Sequence, residues 1–274
     1  MSKIAYDPVK NRFARLIRRS PLLHRIFYWL LDLFFLRSWY IRRELKTVGQ
    51  KLDREGPWTL LDAGSGFGQY DRFLLHHFQN LTIVAIDLKE EYLQDCKNYF
   101  REEINTGRIS FSKQDLVELK VDSLYDLVLC VDVLEHIEND QRVFRNLSGA
   151  LKQGGTLIMH SPSHYSEEDA AEEDSFVEEH ARAGYSPRDL TKKLSEAGFM
   201  PSKVRYTYGR YGHLSWIWSV KYPMIWLTRF GMSALFILLF YYPVVLPVCL
   251  LLNLLDLNSS KEKGYGIYGV GIKK

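Results

Sequence analysis

The residues of this chain best suited to chemistry are a glycine-rich turn, a set of acids closing apolar runs, and histidines close to them. The turn is Thr59-Leu60-Leu61-Asp62-Ala63-Gly64-Ser65-Gly66-Phe67-Gly68. An apolar run ending in a carboxylate, followed by alternating glycines, describes a buried strand, a tight turn and a helix start. Such a turn lets backbone approach a ligand closely, and the first N–H groups of the helix can receive a carboxylate or phosphate. It is not the dinucleotide fingerprint: the third glycine comes one residue early, and Gln69 stands where that glycine belongs. Leu81–Ile86 is a second apolar run. It ends in Asp87, about 20 residues beyond the turn, where an acid can accept both hydroxyls of a ribose. Ile109–Gln114 ends in Asp115, and Tyr125–Val131 continues into Asp132, Glu135 and His136. His136, His160, His164 and His180 are candidates for general acid–base work.

Each candidate also has a plainer reading. Asp87 at a strand end can simply cap the next helix. A glycine turn can be only a turn, and a histidine more often caps a helix or packs in a core than catalyses. The spacing of the turn from Asp87 favours a nucleoside site.

The turn, the acid of the second strand, the segment Asp132-Val133-Leu134-Glu135-His136-Ile137 and the Gly154-Gly155 turn before a fifth strand together resemble the class I S-adenosylmethionine-dependent methyltransferases, in their small-molecule branch. The likeness spans roughly residues 55–211 and resumes at the C-terminus. The resemblance implies S-adenosyl-L-methionine as cofactor. Asp62, Gly64, Ser65, Gly66 and Gly68 would shape the turn that receives its methionine part. Asp87 would bind the ribose, Leu88 would touch the adenine, Asp115 would sit at the adenine edge, and Val131 would present backbone near the methionine amino group. Leu134 and Glu135 would lie near the transferred methyl, with Glu135 and His136 as the catalytic pair. Asp132, Glu135 and His136 are also similar to the Glu-x-x-Glu-His arrangement of the ubiquinone-biosynthesis O-methyltransferases, where these groups are associated with a divalent metal. Here the first position is Asp, and the same residues occur in relatives without metal, so the metal is left open.

The elements that must position these residues follow from the pattern. Alternating apolar strands and helices predict a Rossmann-like, doubly wound α/β sheet; the resemblance implies seven strands, the last antiparallel. Tyr70–Phe78 and Lys89–Phe100 read as helices. Ser186 is the expected N-cap of a helix that starts at Pro187 and ends at Gly198, with Ser202–Tyr208 as sixth strand. The glycine-rich stretch from Gly264 to Lys274 reads as the last strand. An acidic stretch from Glu167 to Glu179 reads as a solvated face or, by the resemblance, a lid over the acceptor pocket.

Two regions depart from this scheme. Residues 1–50 carry eleven Lys and Arg against three acids, and contain an aromatic, leucine-rich stretch from Leu22 to Leu36 interrupted by Arg25 and Asp32. That is short for a membrane span and suits an amphipathic helix on an anionic membrane; a helix capping the core is the alternative. In 212–258, an aromatic and basic belt (Trp216, Trp218, Lys221, Tyr222, Trp226, Arg229) precedes a stretch from Gly231 to Leu255 without any charge. If the last strand pairs with the sixth, both ends of this insert lie on one side of a membrane. A single crossing is then excluded. Pro243 and Pro247 are expected to break it into two short helices of a monotopic hairpin. A dimer interface or a cap over the site is the competing reading. The expected organisation is a basic helical extension over 1–50, a catalytic domain over 51–211 plus 259–274, and an apolar insert over 212–258.

Bulk properties narrow the classes. At 274 residues, 46% hydrophobic, the chain can bury a sizeable core. A net charge of +3 argues against nucleic acid as a partner. Cys96, Cys130 and Cys249 are too scattered for a disulfide framework or zinc site, and no cleavable signal peptide is evident. The expectation is an enzyme on the cytoplasmic face of a membrane, peripheral or monotopic, methylating a hydrophobic small molecule such as a lipid or quinone. A methyltransferase with a soluble acceptor, or a non-catalytic S-adenosylmethionine-binding subunit, stand as alternatives.

Overall fold

A computed structural model describes residues 21–121, 124–166 and 184–274. The acidic stretch 167–179 and His180 lie outside the described residues.

Strands β1 (Trp58–Ala63), β2 (Leu81–Asp87), β3 (Ile109–Lys113), β4 (Tyr125–Val131), β5 (Leu151–Pro162), β6 (Phe199–Thr207) and β7 (Gly266–Lys273) form one sheet in the order β3-β2-β1-β4-β5-β7-β6. The first five pair in parallel, and β7 runs antiparallel between β5 and β6. Parallel strands buried on both faces are apolar on both faces, which is why Leu60 and Leu61, or Leu127, Val128 and Leu129, follow one another without alternation.

On one face lie α2 (Leu36–Glu55), α3 (Gln69–His77) and α4 (Glu90–Tyr99), contributing Ile41, Leu45, Phe73, Leu74, Leu93 and Cys96 to the core. The other face packs α6 (Asp140–Ala150) and α7 (Pro187–Glu196) through Val143, Phe144, Leu147, Leu190 and Leu194. A short α5 (Arg101–Asn105) precedes β3. Ser186 caps α7 by accepting the Asp189 N–H at 3.1 Å, with Pro187 in the first turn. The strand order reverses direction between β1 and β4, so the crevice at their carboxyl ends is the expected ligand position.

Before α2 runs α1 (Pro21–Phe34). After β6 come α8 (Arg210–Trp216), a wider π turn (Ile217–Lys221), α9 (Tyr222–Phe230) and α10 (Ala234–Asn258). The expected break at Pro243 and Pro247 is not found. α10 continues through both prolines for 25 residues, and the chain reverses instead at Gly231, whose φ is +56°. A proline deletes one helical N–H bond, and contacts to the preceding arm hold the helix on both sides of the prolines, among them the Ser215 hydroxyl donating to the Cys249 carbonyl at 3.1 Å. Gly231 reverses the chain where a side chain would be strained, and a Cβ there would meet open space. The result is an antiparallel hairpin. The Tyr241 and Tyr242 hydroxyls donate to the Trp218 and Ser219 carbonyls at 2.9 and 3.0 Å, within the loosened π turn. At its base, the Gly212 N–H donates to Asp256 at 2.9 Å and the Tyr265 N–H to the Tyr208 carbonyl at 3.0 Å. Both ends of the insert are therefore stapled to one edge of the sheet.

Candidate active site

The glycine turn crosses from β1 to the end of β2. The Gly64 and Ser65 N–H groups donate to the Ile86 carbonyl at 2.8 and 3.0 Å. A side chain at Gly64, whose φ is +89°, would strike Val133. Gly66 has a φ of +53°, yet a Cβ there would meet nothing within 4 Å, so the turn opens onto free space on that side. Asp87 is tied to the turn: its two oxygens accept the Gly66 N–H at 2.9 Å and the Lys89 N–H at 2.8 Å. Each oxygen keeps a lone pair for a further donor, so this bracing leaves a ribose role open. Leu88 beside it is 51% exposed. Asp115 is exposed beyond β3 and accepts the Val117 N–H at 2.8 Å, closing a local turn.

Asp62 is buried, and so is Asp71 from the first turn of α3. Burial and then the neighbouring Asp71 push the Asp62 carboxyl well above the ordinary range, and burial raises Asp71 to about 7. The two carboxyls are partners, the protonated one bonding the other, and Tyr70 faces Ser38; Ser65 Oγ on the turn is buried without a partner in the protein. Buried polar groups ordinarily find partners. An unpartnered hydroxyl on a glycine-lined turn that opens onto free space at Gly66 fits a small, polar, hydrogen-bonding ligand such as S-adenosylmethionine.

On the β4 side, Val131 is half-buried and pairs with His160 of β5. Asp132 follows with a φ of +52°, a conformation that non-glycine residues seldom adopt away from functional sites. Its oxygens are divided: one is paired with Arg37 Nη1, and the other lies 2.6 Å from His160 Nδ1. Burial opposes its ionisation, but Arg37 and then His160 hold the carboxyl well below the usual range. His160 Nε2 lies 3.0 Å from Thr207 Oγ1, so both ring nitrogens are engaged. Glu135, 1% exposed, accepts from Ser161 Oγ at 3.0 Å; burial and then Asp132 raise it to about 8, a carboxyl held mostly neutral at pH 7. His136 is exposed on the 3-10 turn Leu134–His136. His164 is half-buried against Tyr165 and Tyr206.

The triplet Asp132, Glu135 and His136 does not fit a divalent metal. The first faces Arg37 and His160, the second Ser161 and the third the surface; among the described residues no three His, Cys, Asp or Glu side chains converge as ligands.

The spacing of the motifs gave no sign of the α1–α2 segment as part of this site. Tyr28, fully buried, donates to the Phe67 carbonyl at 2.5 Å, and Phe27 packs edge-on against Phe67. Gln69 Nε2 is shared between Asp32 Oδ1 and Ser38 Oγ, each at 2.8 Å, and Asp32 pairs with Arg42 at 2.9 Å. The residue that departs from the dinucleotide pattern is therefore the anchor of the N-terminal helices. The only sequence signal for it was that Gln69 replaced a glycine.

Residues 61–157 match the family described as a methyltransferase domain. This part of the chain is a class I S-adenosylmethionine-dependent methyltransferase domain. A 100-residue stretch is 33% identical to the ubiquinone biosynthesis O-methyltransferase of Rickettsia felis, covering 36% of this chain and 39% of the relative. The chain thus matches well under two thirds of the length of the curated relatives it resembles; for that of Rickettsia typhi, 29% identical, the share is 50%. Among solved structures, the phosphoethanolamine N-methyltransferase 2 of Haemonchus contortus, in complex with S-adenosyl-L-methionine, superposes with a TM-score of 0.58 at 17% identity, over 95% of this chain and 60% of that one. A cyclase, SpnF, superposes with a TM-score of 0.56 at 18% identity, over 85% and 80% of the two chains. At such identities the superpositions establish the shared fold. S-adenosylmethionine is the cofactor of the methyltransferase domain, and the open turn at Gly66 with the unpartnered Ser65 hydroxyl fits it.

Proposed function

We propose that this chain transfers a methyl group from S-adenosylmethionine to a hydrophobic small molecule, a quinone or lipid, at the cytoplasmic face of a membrane. The observation that carries this reading is the exposed apolar surface joined to the site. Met232, Phe236 and Val244 of the hairpin are 78%, 69% and 71% exposed, and Leu239, Phe240 and Leu251 are exposed beside them. Isolated exposed apolar residues are ordinary; a helical run of them without a charge from Gly231 to Leu255 is not. Trp29, Ile26 and Leu30 are exposed on α1, and Phe34 at its end packs 5.3 Å from Tyr242 of α10, which makes one surface of the two regions. Arg25 and Arg229 are exposed within it and suit an anionic headgroup layer. With both ends of the insert on one sheet edge, a hairpin that enters and leaves on the same side fits best. The proposed division of the chain stays at 1–50, 51–211 plus 259–274, and 212–258.

When bound, S-adenosylmethionine supplies an electrophilic methyl group on a sulfonium. The chain's own residues do the rest. Asp62, Gly64, Ser65, Gly66 and Gly68 hold the methionine end, Asp87 accepts the ribose hydroxyls, Leu88 covers the adenine, Asp115 marks its edge, and Val131 offers backbone to the amino group. Glu135 keeps the turn after β4 in place through Ser161, and His136 takes the proton from an acceptor oxygen at the rim of the crevice. Positioning is the main contribution, since the donor is already reactive.

Mass spectrometry of lipid extracts from cells producing the protein or its Asp87→Ala variant tests this. A species bearing one extra methyl group should appear with the former alone. Identical extracts would contradict a hydrophobic acceptor.

A further inference from the structure

The resemblance leaves open a divalent cation at Asp132, Glu135 and His136, and the geometry puts a guanidinium there instead. We propose that Arg37 takes the position of the metal at Asp132, so that the site is organised without a divalent ion. The oxygens of Asp132 face Arg37 and His160, a different direction from the Glu135 carboxyl at Ser161 and the exposed His136. Glu135 is turned into the sheet toward Ser161, and His136 faces outward. A divalent ion at Asp132 would also sit beside the guanidinium, and like charges at contact distance repel by several kcal/mol at an effective dielectric of about 20. Arg37 carries its charge at every accessible pH, so it holds an ionised carboxylate as permanently as a bound ion would.

Arg37 is itself fixed. It follows the break between α1 and α2 at Phe35, its backbone N–H donates to Tyr208 Oη at 3.0 Å, and its guanidinium lies 5.0 Å from the Phe35 ring centroid. Asp132 and Tyr208, on either side of it, are the non-glycine residues with positive φ among those described, each at 52°. Two strained positions bracketing one ion pair indicate that the surrounding fold enforces it. Arg37 is therefore a positioning residue: through Asp132 it fixes the turn that carries Glu135 and His136. Its counterpart on the donor side is Gln69, which holds the same α1–α2 corner to the glycine turn.

The metal half of this inference stands apart from the methyl-transfer reading; the activity half rests on it. The test is a titration of the full chain, in detergent and stripped with chelator, with Mn²⁺ alone, followed by the electron paramagnetic resonance signal of the free ion. The wild type is expected to leave that signal unchanged, and its methyl transfer to membranes to survive chelation. One Mn²⁺ bound per chain, lost in Asp132→Asn, would overturn the proposal whether or not the protein methylates anything. Arg37→Gln should lower methyl transfer by about tenfold or more, as truncating one partner of a half-buried pair does, with Arg37→Lys recovering part of it. Arg37→Gln with full activity would equally overturn it. The lysine variant separates loss of the charge from loss of the fold.

Discussion

The buried Tyr28 hydroxyl donates to the Phe67 carbonyl at 2.5 Å, so a helix expected to be an extension grips the cofactor turn directly. Tyr28→Phe keeps the ring packing against Tyr99 and deletes this part-buried bond. The expected cost is about 0.5–1.5 kcal/mol, that of one ordinary hydrogen bond. It should appear as a lower Tm and as weaker S-adenosylmethionine binding by calorimetry, because the carbonyl belongs to the turn. An unchanged donor affinity would separate α1 from the site.

Glu135 gives stability a pH dependence of definite sign. Its folded value of about 8 lies above the ordinary 4.5, so between these limits the native state binds more protons than the unfolded chain. Stability is therefore greatest below about pH 4.5 for this group and falls as pH rises toward 8, by at most about 1.4 kcal/mol per pH unit. Glu135→Gln, which can still accept from Ser161, should flatten the fall in Tm between pH 5 and 8 (about the window set by the two values). A wild type whose Tm rises across that window would refute the buried neutral carboxyl.

The hairpin surface predicts membrane binding without a role in folding. Phe240→Glu and Val244→Glu replace exposed side chains of α10, so far-ultraviolet circular dichroism should not change. Each loses about 1.5–3 kcal/mol of apolar burial in the bilayer and adds a charge, so flotation with anionic vesicles should fall by tenfold or more (about 1.4 kcal/mol per decade). Deleting 212–258 should release the chain from membranes entirely. A deletion variant that still floats would move the anchor to α1.

Local patterns carried much of the fold. Asp62, Asp87 and Asp115 stand at or just beyond strand ends as their runs indicated, and the glycine-rich C-terminus is the antiparallel strand beside β6. The strand ends follow from periodicity and turn chemistry confined to short windows, and the antiparallel sense of the last strand from the family resemblance. The pairs that tie the N-terminal helices to the rest do not: Asp32 with Gln69, Arg37 with Asp132 and Tyr40 with Asp256 join residues 37, 95 and 216 positions apart. Nothing in one sequence marks such partners. The helix break was misread for a related reason. Proline is a strong local signal against a helix, and here contacts with residues distant in sequence, Cys249 to Ser215 and Tyr241 and Tyr242 to Trp218 and Ser219, carry the helix past it, leaving Gly231 to turn the chain.

The central claim is methyl transfer to a hydrophobic acceptor, and a phase-partition assay tests it most directly. Purified protein, methyl-labelled S-adenosylmethionine and membranes are incubated, then separated into organic and aqueous phases. The account predicts label in the organic phase with the wild type and none with Asp87→Ala, whose loss removes the carboxylate bracing Gly66 and the expected ribose contact. Label retained entirely in the aqueous phase by a wild type that binds the donor would contradict it.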